Sequence, residues 1–201
     1  MPTIIQYPIP QKPFNKIPTI VISSAPNDPR IALVYKAVDY WNQQFKQIGT
    51  PFHLGTVIQA TNQLPDQDLI ILGKDETDSS AQQGLVSLVN AMPGDFVIAL
   101  SQASFISFGK PVGTKRLIGI QGHPGGANSS PIVIQNVIAH ELGHLIGLGH
   151  NNDPAMLMCG RPAPCRPGGD QYVNIQGFAP LTEAEKAYLL KIYPPTWKPG
   201  P

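Results

Sequence analysis

The segment His140-Glu141-Leu142-Gly143-His144-Leu145-Ile146-Gly147-Leu148-Gly149-His150 constrains this chain more than any other. In an α-helix, residues four apart lie almost on one face, so His140 and His144 present two imidazoles side by side, with Glu141 at the edge of that face. Two ring nitrogens so placed can reach one zinc ion at about 2.0 to 2.1 Å. Gly147 can take a left-handed backbone that ends the helix and turns the chain, so that His150 returns as a third ligand. A fold built around this segment must bring a helix end, a turn and a returning loop to one point. Three protein ligands leave a fourth position for water, which separates a catalytic zinc site from a closed structural one. Glu141 is then near enough to accept a proton from that water without being a ligand.

Chance explains the pattern poorly. H-E-x-x-H alone arises in under about one chain per hundred of this size, and the added glycine and histidine lower that by roughly a further thousandfold. The local context agrees. Ser130 is placed as an N-cap with Pro131 at the first helical position, and Ile132, Val133, Ile134, Val137, Ile138 and Ala139 surround the axis of a helix that should be buried.

Elsewhere, Thr19–Ser23 is a β-branched run suited to a buried strand. Asp28 as N-cap and Pro29 as first helical residue open a long amphipathic helix, with Ile31, Val34, Val38, Trp41, Phe45 and Ile48 on one face, until Gly49. Further strands are expected at Phe52–Gln59, Asp68–Leu72, Phe96–Leu100 and Leu117–Ile120, while Gln82–Ala91 fits either strand or helix. Thr182-Glu183-Ala184-Glu185 is a capping box opening a helix that Pro194-Pro195 stops, and Thr196–Pro201 is expected to be a loose end. Strand, long helix, strand implies a crossover connection and hence a mixed, mostly parallel sheet. The expectation is an α+β chain with a Pro-rich arm over residues 1–17 and one domain over 18–201, a size that suits a single core.

Composition removes other function classes. A formal net charge of +1, with charges thinly spread, offers no basic face for phosphates, so nucleic acid is not an expected partner. No apolar run approaches the roughly 18 to 20 residues of a membrane span. Met1–Pro18 lacks the basic start and apolar centre of a signal peptide, so export is either not encoded in this stretch or directed by a segment no longer attached. The two cysteines, Cys159 and Cys165, could bridge a loop in an oxidising compartment, which leans towards secretion; two free thiols are the alternative.

The segment resembles the metzincin clan of zinc peptidases, whose pattern adds a methionine-containing turn. His150 to Met158, with Asp153-Pro154 and Leu157-Met158, looks like the matrixin branch, which implies Met158 as the floor of the site. The resemblance covers roughly Ile17 to Tyr193 by element order. It implies a zincin-like sheet of about five strands with a long backing helix, an active-site helix and a C-terminal helix. It also implies a single catalytic zinc, and a protein or peptide substrate lying extended along a sheet edge. Residues Cys159 to Pro180 would form the wall of a specificity pocket. The chain departs from the branch in several ways. No cysteine precedes Cys159 to act as a latency switch, and His53 and His123 stand isolated, without the cluster a structural zinc needs. A structural calcium is not indicated, and Cys159 replaces an aromatic residue after the methionine.

The expected function is therefore a zinc endopeptidase, monomeric, losing activity below about pH 6 as ligand histidines protonate. Asp153 is a candidate to orient a ligand histidine or simply to make a turn, and Tyr172 a remote candidate to assist the oxyanion. The rivals are a catalytically inactive zinc-binding module, and a folding zinc closed by Cys159 as fourth ligand.

Overall fold

Strands that read as unbroken apolar runs need cover on both faces, whereas strands wetted on one side alternate. Ile20–Ile22, the start of Ile20–Ser24 (β1), and Phe96–Leu100 (β3) are such runs, and every residue of both strands is buried in the computed structural model. The structure describes residues 12–60, 62–73, 79–103, 107–122, 130–161, 163, 165 and 172–200. Val57–Gln59 (β2), Phe108–Val112 (β4) and Lys115–Ile120 (β5) complete a five-stranded sheet in the order β2-β1-β3-β5-β4. Four strands run parallel, and β4 pairs antiparallel with β5 at one edge.

The pleat divides the core in two. Ile20, Ile22, Phe96, Ile98 and Ile118 belong to the cluster shared with Ile31–Ile48 (α1), Pro131–Leu145 (α4) and Glu183–Ile192 (α5). Val21, Val97 and Leu117 join the other cluster, covered through Leu69, Leu85 and Val89 by Asp66–Gly73 (α2) and Ser79–Ala91 (α3). Crossovers of one hand that travel in opposite directions along a sheet put their helices on opposite faces. The β1-α1-β2 connection goes one way and β2-α2-α3-β3 goes the other. The α+β architecture expected of the chain is thus present, with its mostly parallel five-stranded sheet, long helix, buried motif helix and C-terminal helix. Among the described residues, no helix is long and apolar enough to cross a membrane.

Several elements differ from expectation for identifiable reasons. The run Asp68–Leu72, expected as a strand, lies in α2: Asp66 and Asp68 fall in its first turn, where a helix favours negative charge, and Leu69 is buried under the sheet. Gln82–Ala91 is part of α3, where Leu85 and Val89 face the core at helical spacing. Only Val57–Gln59 of the expected Phe52–Gln59 pairs as a strand, because Asn42 of α1 holds the Leu54 backbone through both its amide and its carbonyl. Strand β4 contains Gly109 and Pro111 and reads as loop, yet an edge strand tolerates both. Regular bonding in α1 starts at Ile31, while the Asp28 carboxylate accepts the Arg30 amide at 2.9 Å and pairs with the Arg30 guanidinium at 2.6 Å. Ser130 stands at the N-cap of α4 without a side-chain bond.

The described residues nearest both termini are tied down. Phe14 is buried against Phe96, accepts the Arg116 guanidinium over its ring at 3.8 Å, and donates its amide to the Tyr193 hydroxyl at 3.1 Å. The tail is not loose: Trp197 meets Phe52 edge-on at 5.1 Å, and the Gly200 amide donates to the Asn15 carbonyl. An apolar ring so close to the chain end buries more surface than a frayed tail would. Arm residues Met1–Gln11 lie outside the described residues.

Candidate metal centre

The site is built on α4 because that helix is enclosed. From α1, Trp41 Nε1 donates to the Ala139 carbonyl at 2.9 Å, one residue before His140. At Gly143 an added Cβ would fall 2.4 Å from Met158 Sδ and 3.1 Å from Trp41 Cζ2, so only glycine lets the methionine turn pack under the helix here. Met158 and Trp41 are both fully buried, so neither has open space to move into. Gly143→Ala is therefore expected to destabilise the fold by about 1 to 3 kcal/mol, read from the urea midpoint. A midpoint equal to that of the native protein would show that the helix and turn yield freely.

The helix ends at Leu145, and Gly147, at φ 115°, turns the chain back. This brings His150 to His140 and His144: the Nε2 atoms stand 3.0 Å apart for His140 and His144, 3.1 Å for His144 and His150, and 3.2 Å for His140 and His150. Each ring is oriented from behind by a backbone carbonyl. His140 Nδ1 meets the Leu157 carbonyl at 2.7 Å, His144 Nδ1 that of Leu148 at 2.9 Å, and His150 Nδ1 that of Arg161 at 2.7 Å. Since a carbonyl only accepts, each Nδ1 carries the proton, and a neutral imidazole then has an unprotonated Nε2. Three lone pairs thus face one another with no proton to separate them.

Such an arrangement suits a small cation. A tetrahedral zinc with ligands at about 2.0 to 2.1 Å spaces its nitrogens roughly 3.3 to 3.4 Å apart, close to the separations here. Among the described residues, these three histidines form the one group of three or more ligand atoms that could share a metal ion. The electrostatics point the same way. Burial, then the neighbouring imidazoles, holds His140 far below 6.5; burial, then His150, pushes His144 down to about 3; burial lowers His150 as well. Neutral rings are the form that binds metal.

Glu141, one residue along α4, is 5% exposed, and burial pushes its carboxyl up to about 8. Edge strand β4 presses on it: a Cβ at Gly109 would lie 3.2 Å from the Glu141 carbonyl oxygen and 3.4 Å from Oε2. A divalent cation beside the group would draw it back towards the carboxylate.

Other candidates fall elsewhere. Asp153 does not reach an imidazole; its Oδ1 accepts the Ala155 amide at 3.0 Å, the turn role, because backbone carbonyls already fill the Nδ1 positions. Tyr172 donates its hydroxyl to the Leu157 carbonyl at 2.7 Å, the same oxygen that orients His140. Cys159 and Cys165 are joined as a disulfide, so Cys159 has no thiolate for a cation. His53 is exposed beside the Pro51 carbonyl, and His123 lies outside the described residues, as do 162, 164 and 166–171 of the expected pocket wall.

Two features escape sequence reasoning. The three orienting carbonyls have no side-chain signature. Asn151, next to His150, donates to Glu185 Oε1 at 2.7 Å, while Oε2 of the same carboxylate accepts the Thr182 amide in the capping box of α5. The capping box was legible, but its second task of holding the loop after His150 was not.

The matrixin family profile matches residues 33–164. No curated protein matches the chain. Among solved structures, archaemetzincin from Methanopyrus kandleri is similar at 15% identity and a TM-score of 0.50, over 89% of this chain and 96% of that one. Metalloproteinase-II from Bacteroides fragilis is similar at 15% identity and a TM-score of 0.53, over 94% of this chain and 56% of that one. At such identity these structures speak for the fold, while the profile spans the imidazole cluster and the methionine turn. With three buried imidazoles converging inside the matched region, the chain belongs to the matrixin family and is a zinc-metallopeptidase-like domain.

Proposed function

We propose that this matrixin domain is an endopeptidase, hydrolysing peptide bonds in proteins or extended peptides with zinc held by His140, His144 and His150. The observation that carries the reading is the trio of unprotonated Nε2 atoms 3.0 to 3.2 Å apart beside a buried carboxyl on the same helix. When bound, zinc would polarise the scissile carbonyl, lower the pKa of water and stabilise negative charge on the oxyanion.

Glu141 would take the proton of the attacking water and return it to the leaving amine. Zinc held beside it would favour the carboxylate form, which is the form that can accept that proton. Gly147 would serve as the turn that returns His150, and Met158 as the floor beneath α4. The outer edge of β4, which meets Glu141 at Gly109, would hold substrate as an added strand, reading main chain before side chains. The disulfide favours an oxidising, extracytoplasmic setting.

The test is cleavage of a quenched fluorogenic peptide library before chelation, after chelation and after zinc is returned. Cleavage should stop on chelation and recover with one equivalent of zinc. Chelator-resistant cleavage by pure protein would overturn the mechanism, and a protein that takes up zinc yet cuts nothing would be a zinc-binding module instead.

A further inference from the structure

We propose that the Cys159–Cys165 disulfide is a positioning element for His150, acting through Gly160 and the Arg161 carbonyl that it closes into a short loop. The inference rests on the reading above that His150 is a metal ligand.

His150 differs from its two partners in what holds it. His140 and His144 are carried by α4, whereas His150 lies beyond the helix end in a loop. The carbonyl behind His140 is itself anchored, since Leu157 accepts the Tyr172 hydroxyl and its amide donates to Pro180. The carbonyl behind His144 belongs to Leu148, whose amide donates back to Gly143 within the helix end. The carbonyl behind His150 belongs to the exposed Arg161.

The chain reaches that carbonyl by running across the imidazole. A Cβ at Gly160 would fall 2.3 Å from His150 Nε2, 2.4 Å from Cδ2 and 2.6 Å from Cε1. Gly160 is not among the glycines with positive φ, so close approach to the ring, rather than a special turn, is what requires glycine there. The ring is therefore held on its face by Gly160 and from behind by Arg161.

The disulfide fixes both ends of this segment. Cys159 is fully buried, donates its amide to the Met156 carbonyl and forms a bridge with Asn151, so one end is anchored to the core next to His150. The bond to Cys165, with Cα atoms 5.9 Å apart, brings the other end of the loop back to that anchor. Without it, the Gly160 amide on Asn151 and the turn from Ala163 to Gly160 are the described backbone bonds that hold the loop. Groups that orient a ligand imidazole typically change metal affinity 10- to 100-fold when lost, so opening the bridge should weaken zinc binding by about that factor.

The test compares native protein, the same protein reduced by a water-soluble phosphine, and the Cys159→Ser, Cys165→Ser double variant. In the reduction the phosphine becomes its oxide while the S–S bond takes up two electrons and, from water, two protons, leaving two thiols. Zinc dissociation constants are read by competition with a chromophoric chelator. Exchange of the three imidazole Nδ1 protons in the zinc-loaded forms is read by NMR. The expected result is zinc affinity about tenfold weaker or more in both opened forms, with Nδ1 proton exchange faster at His150 and unchanged at His140 and His144. Equal affinity in all forms, or exchange that quickens at all three rings together, overturns the positioning role while leaving the zinc site intact. Loss of folding in both opened forms also overturns it, because the bridge would then hold the whole fold. Native oxidised protein that takes up no zinc would instead sink the underlying metal reading.

Discussion

Glu141→Gln is expected to lower peptide turnover by about 10²- to 10⁴-fold while zinc affinity stays within a few fold of the native protein. Glutamine has the shape of glutamate, so it fits beneath β4 at the narrow spacing that Gly109 allows. What it lacks is the capacity to take a proton near neutral pH and give it back. The three imidazoles and their carbonyl partners do not involve the Glu141 side chain, so the metal cradle should survive. Steady-state cleavage of one peptide found in the library, with a zinc titration of each protein, checks both halves. Turnover within a few fold of native would remove Glu141 as general base. A matching loss of zinc affinity would show that its carboxyl belongs to the cradle instead.

Removing the metal should be the largest single change in stability. At free zinc a thousandfold above its dissociation constant, binding adds about 4 kcal/mol, and for a chain of this size each kcal/mol moves Tm by roughly 2 to 4 °C. Chelation at pH 7 is thus expected to lower Tm by about 8 to 16 °C. Acid then acts on the stripped protein in a defined direction. The three imidazoles have lowered pKa values in the fold, so below 6.5 the unfolded chain binds protons that the native state does not. Their contribution to stability is intact above 6.5 and is lost as pH falls through the window beneath it, by up to about 1.4 kcal/mol per histidine per pH unit.

In the stripped protein burial moves protonation of the folded rings below the ordinary imidazole range, so acid is expected to act there through unfolding. Calorimetry from pH 7.5 to 5, with and without chelator, reads both effects. A stripped protein whose Tm is the same as the loaded one, or does not fall on acidification, would count against three neutral, buried ligands.

The residues that were legible are those whose meaning is local. Helical periodicity alone puts His140 and His144 on one face, and the buried α4 and the capped α5 carry their boundaries in Ser130-Pro131 and Thr182-Glu185. Strands β1 and β3 are readable because a run covered on both faces has no polar alternation to obscure it. Where local preference is balanced, it misleads. Leu69-Ile70-Ile71-Leu72 suits a strand or a helix equally by composition, and α2 forms because the far face of the sheet needs cover. Strand β4 shows the opposite case, with glycine and proline that only an edge position excuses.

Taken alone, the sequence determined which groups could meet: three imidazoles and one carboxylate, at spacings that a helix, a glycine turn and a short loop can gather. Only the tertiary structure decided how those rings are held, because their partners are the carbonyls of Leu148, Leu157 and Arg161. Every residue carries such a carbonyl, so side-chain identity cannot reveal which ones will face an imidazole. The same holds for Gly160, whose missing Cβ matters only because a ring from another part of the chain lies where that atom would be.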